Sequence, residues 1–496
     1  MLFNSFDFLI FFPIVLMVYF IIPKKVRYIW LLITSYFFYM CWNAEYALLL
    51  LASTMITYGA GLFIDRWKDN MKRKKAMVAV SLILNFGILF FFKYAMFAMD
   101  SLHAIISKIG VTMDVSGFDI LLPVGITFYI FQAVGYTMDV YRGKIAAEKN
   151  PLRYALFVSF FPQLVAGPIE RSTNLLPQLQ NVDKINVWQP KRMQEGAIVM
   201  LYGYILKMII ADRAAVYVNA IYDVEKYNTY TGFTVLIGII LFSFQIYCDF
   251  AGYTYIAIGA AKIMGFELMD NFKMPYMATS IKDFWDRWHI SLSSWFRDYL
   301  YFPLGGSRKG TVRKYVNIFI VFLVSGLWHG AAWHYVLWGA IHGIMRVTGE
   351  LTLKIREKIY NALHFRRDTL AVTLWKMLCT FSLVSVAWIF FRGESIRQSV
   401  DIFCNIFREY NPWVLTNGSI FELGLDAKEW NVLLMALLFL VVADCLRYCK
   451  MNLVELFMKQ NLWFRWIVFY IGIMAVVLFG VYGPQYDATQ FIYFQF

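Results

Sequence analysis

The chain has 496 residues, of which 60% are hydrophobic and only 16% charged. A soluble protein carries about a quarter charged residues, so this composition excludes an ordinary soluble enzyme and indicates a polytopic membrane protein. The net charge of +13 comes from Lys and Arg placed between apolar spans, which fits the positive-inside bias of membrane proteins and not nucleic-acid binding.

In chain order, Phe8–Ile22 reads as an uncleaved first span, since no basic leader precedes it and no small-residue cleavage site follows. Lys24, Lys25 and Arg27 come next and are expected in the cytoplasm. Tyr28–Trp42 leads out, Asn43–Glu45 turns, and Tyr46–Ile64 returns to Asp65–Lys75, a loop with six Lys or Arg. Met77–Phe92 leads out again, and a weakly amphipathic external segment runs to about Gly117. Phe118–Val140 then comes in to Tyr141-Arg142-Gly143-Lys144. Basic loops fall on one side for five successive spans, which puts the N-terminus outside.

Phe157–Gly167 is apolar but too short to span and suits a re-entrant piece. Gly196–Ile210 and Thr231–Met264 add spans, the second interrupted by Asp249 and Lys262, so that one end lines a polar cavity. Leu370–Phe391, Val432–Val442 and Trp463–Val481 follow. The expected fold is all-α, with about eleven crossings of ~20 residues plus re-entrant and interfacial helices. No internal repeat and no soluble domain stand out, so 1–496 reads as a single integral-membrane domain with its core at about 118–347.

Two stretches carry chemistry. Lys282–Gly306 reads, on a 3.6-residue period, as one amphipathic helix with Trp285, Trp288, Leu292, Trp295, Phe296 and Tyr299 on one side. Arg287, Ser291, Ser294 and Asp298 lie on the other, and His289 sits at the edge of the aromatic stripe. Such a helix lies at the membrane surface or packs beside the bundle. Val316–Val347 runs roughly thirty residues without a charge before Arg346, enough to cross a bilayer core. It holds His329, His334 and His342, three of the six histidines. Ionisable side chains at membrane depth are functional by default. The small residues Ser325, Gly326, Gly330, Ala331 and Ala332 around His329 permit close approach of a helix or a substrate.

A metal site is disfavoured: His329 and His334 do not share a helix face, no acidic residue lies in the span, and HExxH is absent. The six cysteines are scattered, and Cys445 and Cys449 have no second pair to complete a zinc site. No nucleophile-elbow motif supports a Ser-His-Asp triad. A histidine acting as general base on a hydroxyl needs none of these partners. A transporter or flippase would use many spans too, but such folds carry paired repeats with broken helices, and none is visible.

Ser325-Gly326-Leu327-Trp328-His329-Gly330 resembles the signature of the membrane-bound O-acyltransferase (MBOAT) family. Leu122–Gly143, Phe160–Arg171, Gln245–Gly259, Phe284–Arg308, Ala387–Arg392 and the terminal Phe491–Phe496 resemble further family motifs. The resemblance covers essentially the whole chain. It points to the bacterial branch concerned with alginate O-acetylation and teichoic-acid D-alanyl transfer, with length and terminal motif nearer the former. One departure is Tyr255, where the pattern leads one to expect an Asp.

The resemblance implies a ring of tilted helices around a thinned centre with a funnel on each side. His329 matches the catalytic histidine, and His289 is the second, on the cytoplasmic side. Trp328, Asp249, Trp285, Arg287, Trp288 and Arg297 become the candidate substrate-contacting residues. No metal or bound cofactor is implied. The donor is an acyl thioester, acetyl-CoA or an acyl carrier protein, and the acceptor is a hydroxyl of an exported polysaccharide or cell-wall polymer. An extracytoplasmic hydrolase-like partner and a bacterial inner-membrane location are part of the same expectation.

The alternating basic loops give the first prediction. Cysteines introduced in Asp65–Lys75 should resist a membrane-impermeant thiol reagent in intact cells, whereas one at Asn43–Glu45 should react. Labelling of Asp65–Lys75 from outside overturns the orientation.

Overall fold

The computed structural model describes residues 1–110, 123–165, 167–364, 366 and 369–482. The terminal motif Phe491–Phe496 and the expected start of a span at Phe118 lie outside them. Every regular element among the described residues is helical. Seven helices among them are long and apolar enough to cross a membrane: Tyr46–Arg66, Met71–Ile109, Gly232–Met264, Thr311–His329, Leu370–Arg392, Ala427–Tyr448 and Leu462–Phe479. Phe6–Ile21 is a shorter apolar helix. Other crossings expected from sequence fall on short or interrupted helices, such as Arg27–Met40 and Ile126–Tyr141. The chain divides into two compact units, Met1–Ala197 with Ala257–Met269, and Ile198–Ile256 with Asp270–Phe496.

The first unit holds α1 (Phe6–Ile21), α2 (Arg27–Met40), α3 (Tyr46–Arg66), α4 (Met71–Leu89), α5 (Ala95–Ile106) and α6 (Ile126–Tyr141). The short α7 (Pro151–Ser159), α8 (Phe161–Leu164) and α9 (Ser172–Gln180) follow, then α10 (Pro190–Tyr204), whose last turns enter the second unit. The expected segment Phe157–Gly167 takes in the end of α7 and all of α8, with Phe157, Phe160 and Phe161 fully buried. Protein covers this broken backbone. Its carbonyls are used: Phe157 O accepts from Gln132 Nε2 at 2.6 Å and from Gln163 Nε2 at 2.8 Å.

The second unit begins where α10 runs through a π-helical turn, Ile205–Ala211, into α11 (Asp212–Tyr222). α12 (Gly232–Met264) is 33 residues long and belongs to this unit as far as Ile256. α13 (Ile281–Arg287), α14 (Ile290–Phe296), α15 (Thr311–His329), α16 (Trp333–Leu351), α17 (Leu353–Ala362) and α18 (Leu370–Arg392) follow. α19 (Ile396–Asn405), α20 (Ala427–Tyr448), α21 (Leu453–Met458) and α22 (Leu462–Phe479) complete it.

Two expectations are corrected here. Lys282–Gly306 is not one helix. α13 stops at Arg287, Trp288 is extended, and His289 takes a left-handed backbone at φ 44, ψ 54 before α14 begins. The cause is Asn271. Its carbonyl accepts from the Ile290 N–H at 3.0 Å, and its Oδ1 accepts from Ser291 N and Ser291 Oγ at 3.3 and 2.6 Å. A residue ten or more positions away thus pairs the first backbone donors of α14, so the helix can restart there. Ser291, expected on the solvated side, is fully buried by the same bonds.

Val316–Val347 is likewise not one rod but an antiparallel hairpin, α15 and α16, turning at Gly330–Ala332. Lys314 pairs with Glu350 at its open end. Gly326 and Gly339 allow the close crossing: a Cβ at Gly326 would strike the Tyr335 carbonyl oxygen, and one at Gly339 that of Phe322. Glycine weakens a helix interior by roughly 0.5–1 kcal/mol, and the close packing of the two helices outweighs it.

Lys207, in the π-helical turn, is 1% exposed and lies between Asp212 at 2.7 Å and Asp249 at 2.5 Å. Lys207→Met would leave two buried carboxylates without their shared cation. Breaking such a buried pair costs on the order of 3–5 kcal/mol. The variant should show a large drop in thermal midpoint in detergent, and an unchanged midpoint would mean that the carboxylates have other adequate partners.

Candidate functional site

The hairpin delivers one histidine. His329 is the last residue of α15, and the Gly330 N–H closes the helix on the Gly326 carbonyl. The chain turns immediately afterwards, so the imidazole stands at the hairpin tip with 4% of the residue exposed. The break between α13 and α14 delivers the other. His289 is fully buried, and a left-handed backbone at a residue other than Gly is held only where its surroundings fix it.

The two imidazole centroids are 6.4 Å apart. Trp328 lies beside both, 5.7 Å from His289 and 4.8 Å from His329. Phe250 of α12 meets His289 edge-on at 4.7 Å. Trp338 and Phe391 meet His329 edge-on at 5.1 and 5.2 Å. Edge-to-face rings fix orientation as well as burying area, so both imidazoles sit in walls of aromatic carbon.

The remaining histidines of the hairpin make other contacts. His342 Nδ1 accepts from Trp285 Nε1 at 3.2 Å, which makes it a neutral imidazole with its proton on Nε2. Its ring lies between Phe284 and Phe322, nearly parallel to each. His334 Nδ1 is 3.2 Å from the Phe390 carbonyl. Both contacts are structural in kind.

Of the other sequence candidates, Trp328 touches both histidines, and Trp288 packs with Phe272 and Trp388 at 5.0 Å each. Trp285 serves His342, and Asp249 is bound to Lys207. Arg287 pairs with Asp283 at 2.7 Å, and Arg297 is exposed beside Asp298 at 3.1 Å. Sequence reasoning missed Lys207, Phe250, Trp338 and Phe391. Lys207 was findable, as a lone charge in the run YILKMIIA. Phe250 and Phe391 fall inside the motifs Gln245–Gly259 and Ala387–Arg392, but nothing local marks them, or Trp338, among the neighbouring apolar residues, since only tertiary packing sets them against the histidines. Among the described residues no group of three or more His, Cys, Asp or Glu side chains could hold a metal ion.

Residues 18–392 match MBOAT, the membrane-bound O-acyltransferase family. The chain is 34% identical over 506 residues to a protein named probable alginate O-acetylase AlgI in Pseudomonas putida, covering 100% of both chains. It is 34% identical over 400 residues to a peptidoglycan O-acetyltransferase of Helicobacter pylori, covering 75% of this chain and 72% of that one. A teichoic acid D-alanyltransferase of Bacillus subtilis is 30% identical over 282 residues, 54% of this chain and 68% of that one.

Burial pulls the His289 imidazole, in the segment between α12 and α15, from 6.5 down to about 3. The unfolded chain therefore takes up a proton near 6.5 that the folded chain takes up only near 3. Stability held by neutral His289 is full above the unfolded value and lost as the pH falls towards the folded one. His289→Gln should flatten the decline of the thermal midpoint between about pH 7 and about pH 5. An undiminished slope in that variant would assign the acid sensitivity to other groups.

Proposed function

The chain belongs to the membrane-bound O-acyltransferase family, and on that footing we propose that it moves an acetyl group from a cytoplasmic thioester to a hydroxyl beyond the membrane. The observation that carries this reading is the pair of buried imidazoles, 6.4 Å apart on separate elements and walled by aromatic rings. In this reading His329 is the general base. It takes the proton of an acceptor hydroxyl as that oxygen attacks the thioester carbonyl carbon. The carbon–sulfur bond then breaks, and the departing thiolate recovers the proton. His289, neutral by burial, lies on the donor side. Water is excluded by the rings of Phe250, Trp328, Trp338 and Phe391, which protects the thioester from hydrolysis and strengthens the field at the reacting atoms.

Acetyl is favoured over D-alanyl because the relatives that match 100% and 75% of this chain are named as O-acetylating proteins, against 54% for the D-alanyltransferase. Those names differ in the polymer, so the acceptor is proposed as a hydroxyl of an exported polysaccharide or of the cell wall. It is reached directly or through an extracytoplasmic hydrolase-like partner. The whole chain would act as one acyltransferase domain in the bacterial inner membrane, with its helices ringed around a central funnel that leads to the two histidines. Trp328 and Trp288 would line the path of the acyl group, and Asp249 would act indirectly, through Lys207.

His329→Ala tests the base. A positioned base supplies on the order of 10²–10⁴-fold, so single-turnover transfer in reconstituted protein should fall by that factor, roughly 3–5 kcal/mol of barrier. His334→Ala should retain more activity, since its ring nitrogen is engaged by the Phe390 carbonyl. Wild-type transfer by folded His329→Ala protein would remove the base mechanism.

A further inference from the structure

One cluster of cations in the second unit takes no part in the chemistry above. Arg447 stands in the last turn of α20 with its side chain 27% exposed. Its Nη1 donates to the Tyr255 hydroxyl at 2.9 Å, and its guanidinium lies 5.5 Å from the centre of that ring. Asp444, three residues earlier, pairs with it through Oδ1 at 3.8 Å. The other Asp444 oxygen, Oδ2, accepts from the Tyr247 hydroxyl at 3.2 Å. The hydrogen bond of this arginine thus goes to a phenol, and its ion pair with Asp444 is a long one.

The next residue, Tyr448, is exposed. Over its ring, at 5.7 Å, lies the guanidinium of Arg287, whose side chain is 21% exposed. Arg287 donates through Nε to Asp283 at 2.7 Å and through Nη1 to the Lys273 carbonyl at 3.3 Å. Lys273 in turn donates its backbone N–H to the Arg287 carbonyl at 3.0 Å. Its ammonium is solvated and only 3.8 Å from Asp270. Two guanidiniums are thus each steadied on a tyrosine face, Arg447 on Tyr255 and Arg287 on Tyr448, the residue that follows Arg447, and Arg287 is two residues from His289 along the chain.

A guanidinium is a planar fork matched to phosphate oxygens. Holding it on an aromatic face reduces the side-chain entropy that binding would otherwise consume. Resting on the thioester-donor reading above, we propose that Arg447 and Arg287 bind the phosphate ester of a pantetheine-armed donor and so direct its thioester towards His289. The phosphate next to pantetheine is common to coenzyme A and to a carrier protein's prosthetic arm. Tyr255 and Tyr448 act as positioning residues for the two guanidiniums.

The test compares S-acetyl-4′-phosphopantetheine with S-acetylpantetheine as donors, in the wild type, Arg447→Gln and Arg447→Lys. The wild type should show a lower KM for the phosphorylated donor by on the order of 10- to 100-fold, the worth of one charge-assisted hydrogen bond. Arg447→Gln should collapse that advantage by raising KM with kcat little altered, and Arg447→Lys should restore part of it. No phosphate advantage in the wild type, or an undiminished one in Arg447→Gln, overturns the proposal. Arg287→Gln should lose part of the same advantage, and an undiminished advantage there removes Arg287 from the phosphate subsite. Acetyl-CoA in parallel separates the sources: a KM below that of the phosphopantetheine donor assigns the subsite to coenzyme A, and an equal one to a carrier's prosthetic arm.

Failure of the acyltransfer reading itself would leave no turnover with any donor. Calorimetric binding of 4′-phosphopantetheine and of pantetheine to the detergent-solubilised chain then decides the subsite alone. An Arg447-dependent preference for the phosphorylated ligand upholds it, and equal affinities refute it.

Discussion

Where α13 stops at Arg287 and α14 restarts at Ile290, backbone groups that a continuous helix would pair internally are paired by Asn271. At a site walled off from water, each such donor left alone would cost several kcal/mol. With the donors paired, the chain can bear the roughly 1–2 kcal/mol of a left-handed residue other than Gly. His289 is that residue. Its ring is thereby turned out of the helical register and placed against Phe250 and Trp328. The geometry of both imidazoles follows from a break of this kind, one between α13 and α14 and one at the tip of the α15–α16 hairpin.

This also explains what could be read from the residues alone. Apolar runs bounded by basic loops located the long spans, because length and hydropathy are local properties. The Trp-His-Gly signature located His329 for the same reason. Neither helix break was legible. The period of Trp285, Trp288, Leu292 and Trp295 is that of an unbroken helix, and the residue that breaks it, Asn271, stands outside the motif. In Val316–Val347 the glycines were visible as sites of close approach, but not that the approaching partner is the same stretch folded back on itself. Sequence periodicity reports what a segment prefers, and here tertiary hydrogen bonds and helix packing override that preference.

Buried charge is used in two ways. Lys207 with Asp212 and Asp249 is an ion cluster whose members satisfy one another, joining the π-helical turn to α12. Because Asp249 immediately precedes Phe250, that cluster also holds in register the ring that meets His289 edge-on. The imidazoles, by contrast, are ionisable groups surrounded chiefly by carbon. A carboxylate held by a lysine is committed to its partner, whereas the two imidazoles have aromatic rings for neighbours. That contrast separates Asp249 from His329, although both side chains are buried.

α12 and α22 meet the membrane differently. At 33 residues α12 is about 50 Å long, well beyond a hydrocarbon core of about 30 Å. It must lean, or carry an end into water, as the Lys262–Glu195 pair near its C-terminus suits it to do. Two-thirds of its apolar window, 67%, is buried in protein, against 6% for α22. α22 therefore offers lipid more of its surface than α12 does. Since hydrophobic mismatch acts only where acyl chains touch the protein, bilayer thickness would act more on α22 than on the helix that carries Asp249 and Phe250. The enzyme would then be tolerant of the changes in lipid length with which bacteria answer temperature.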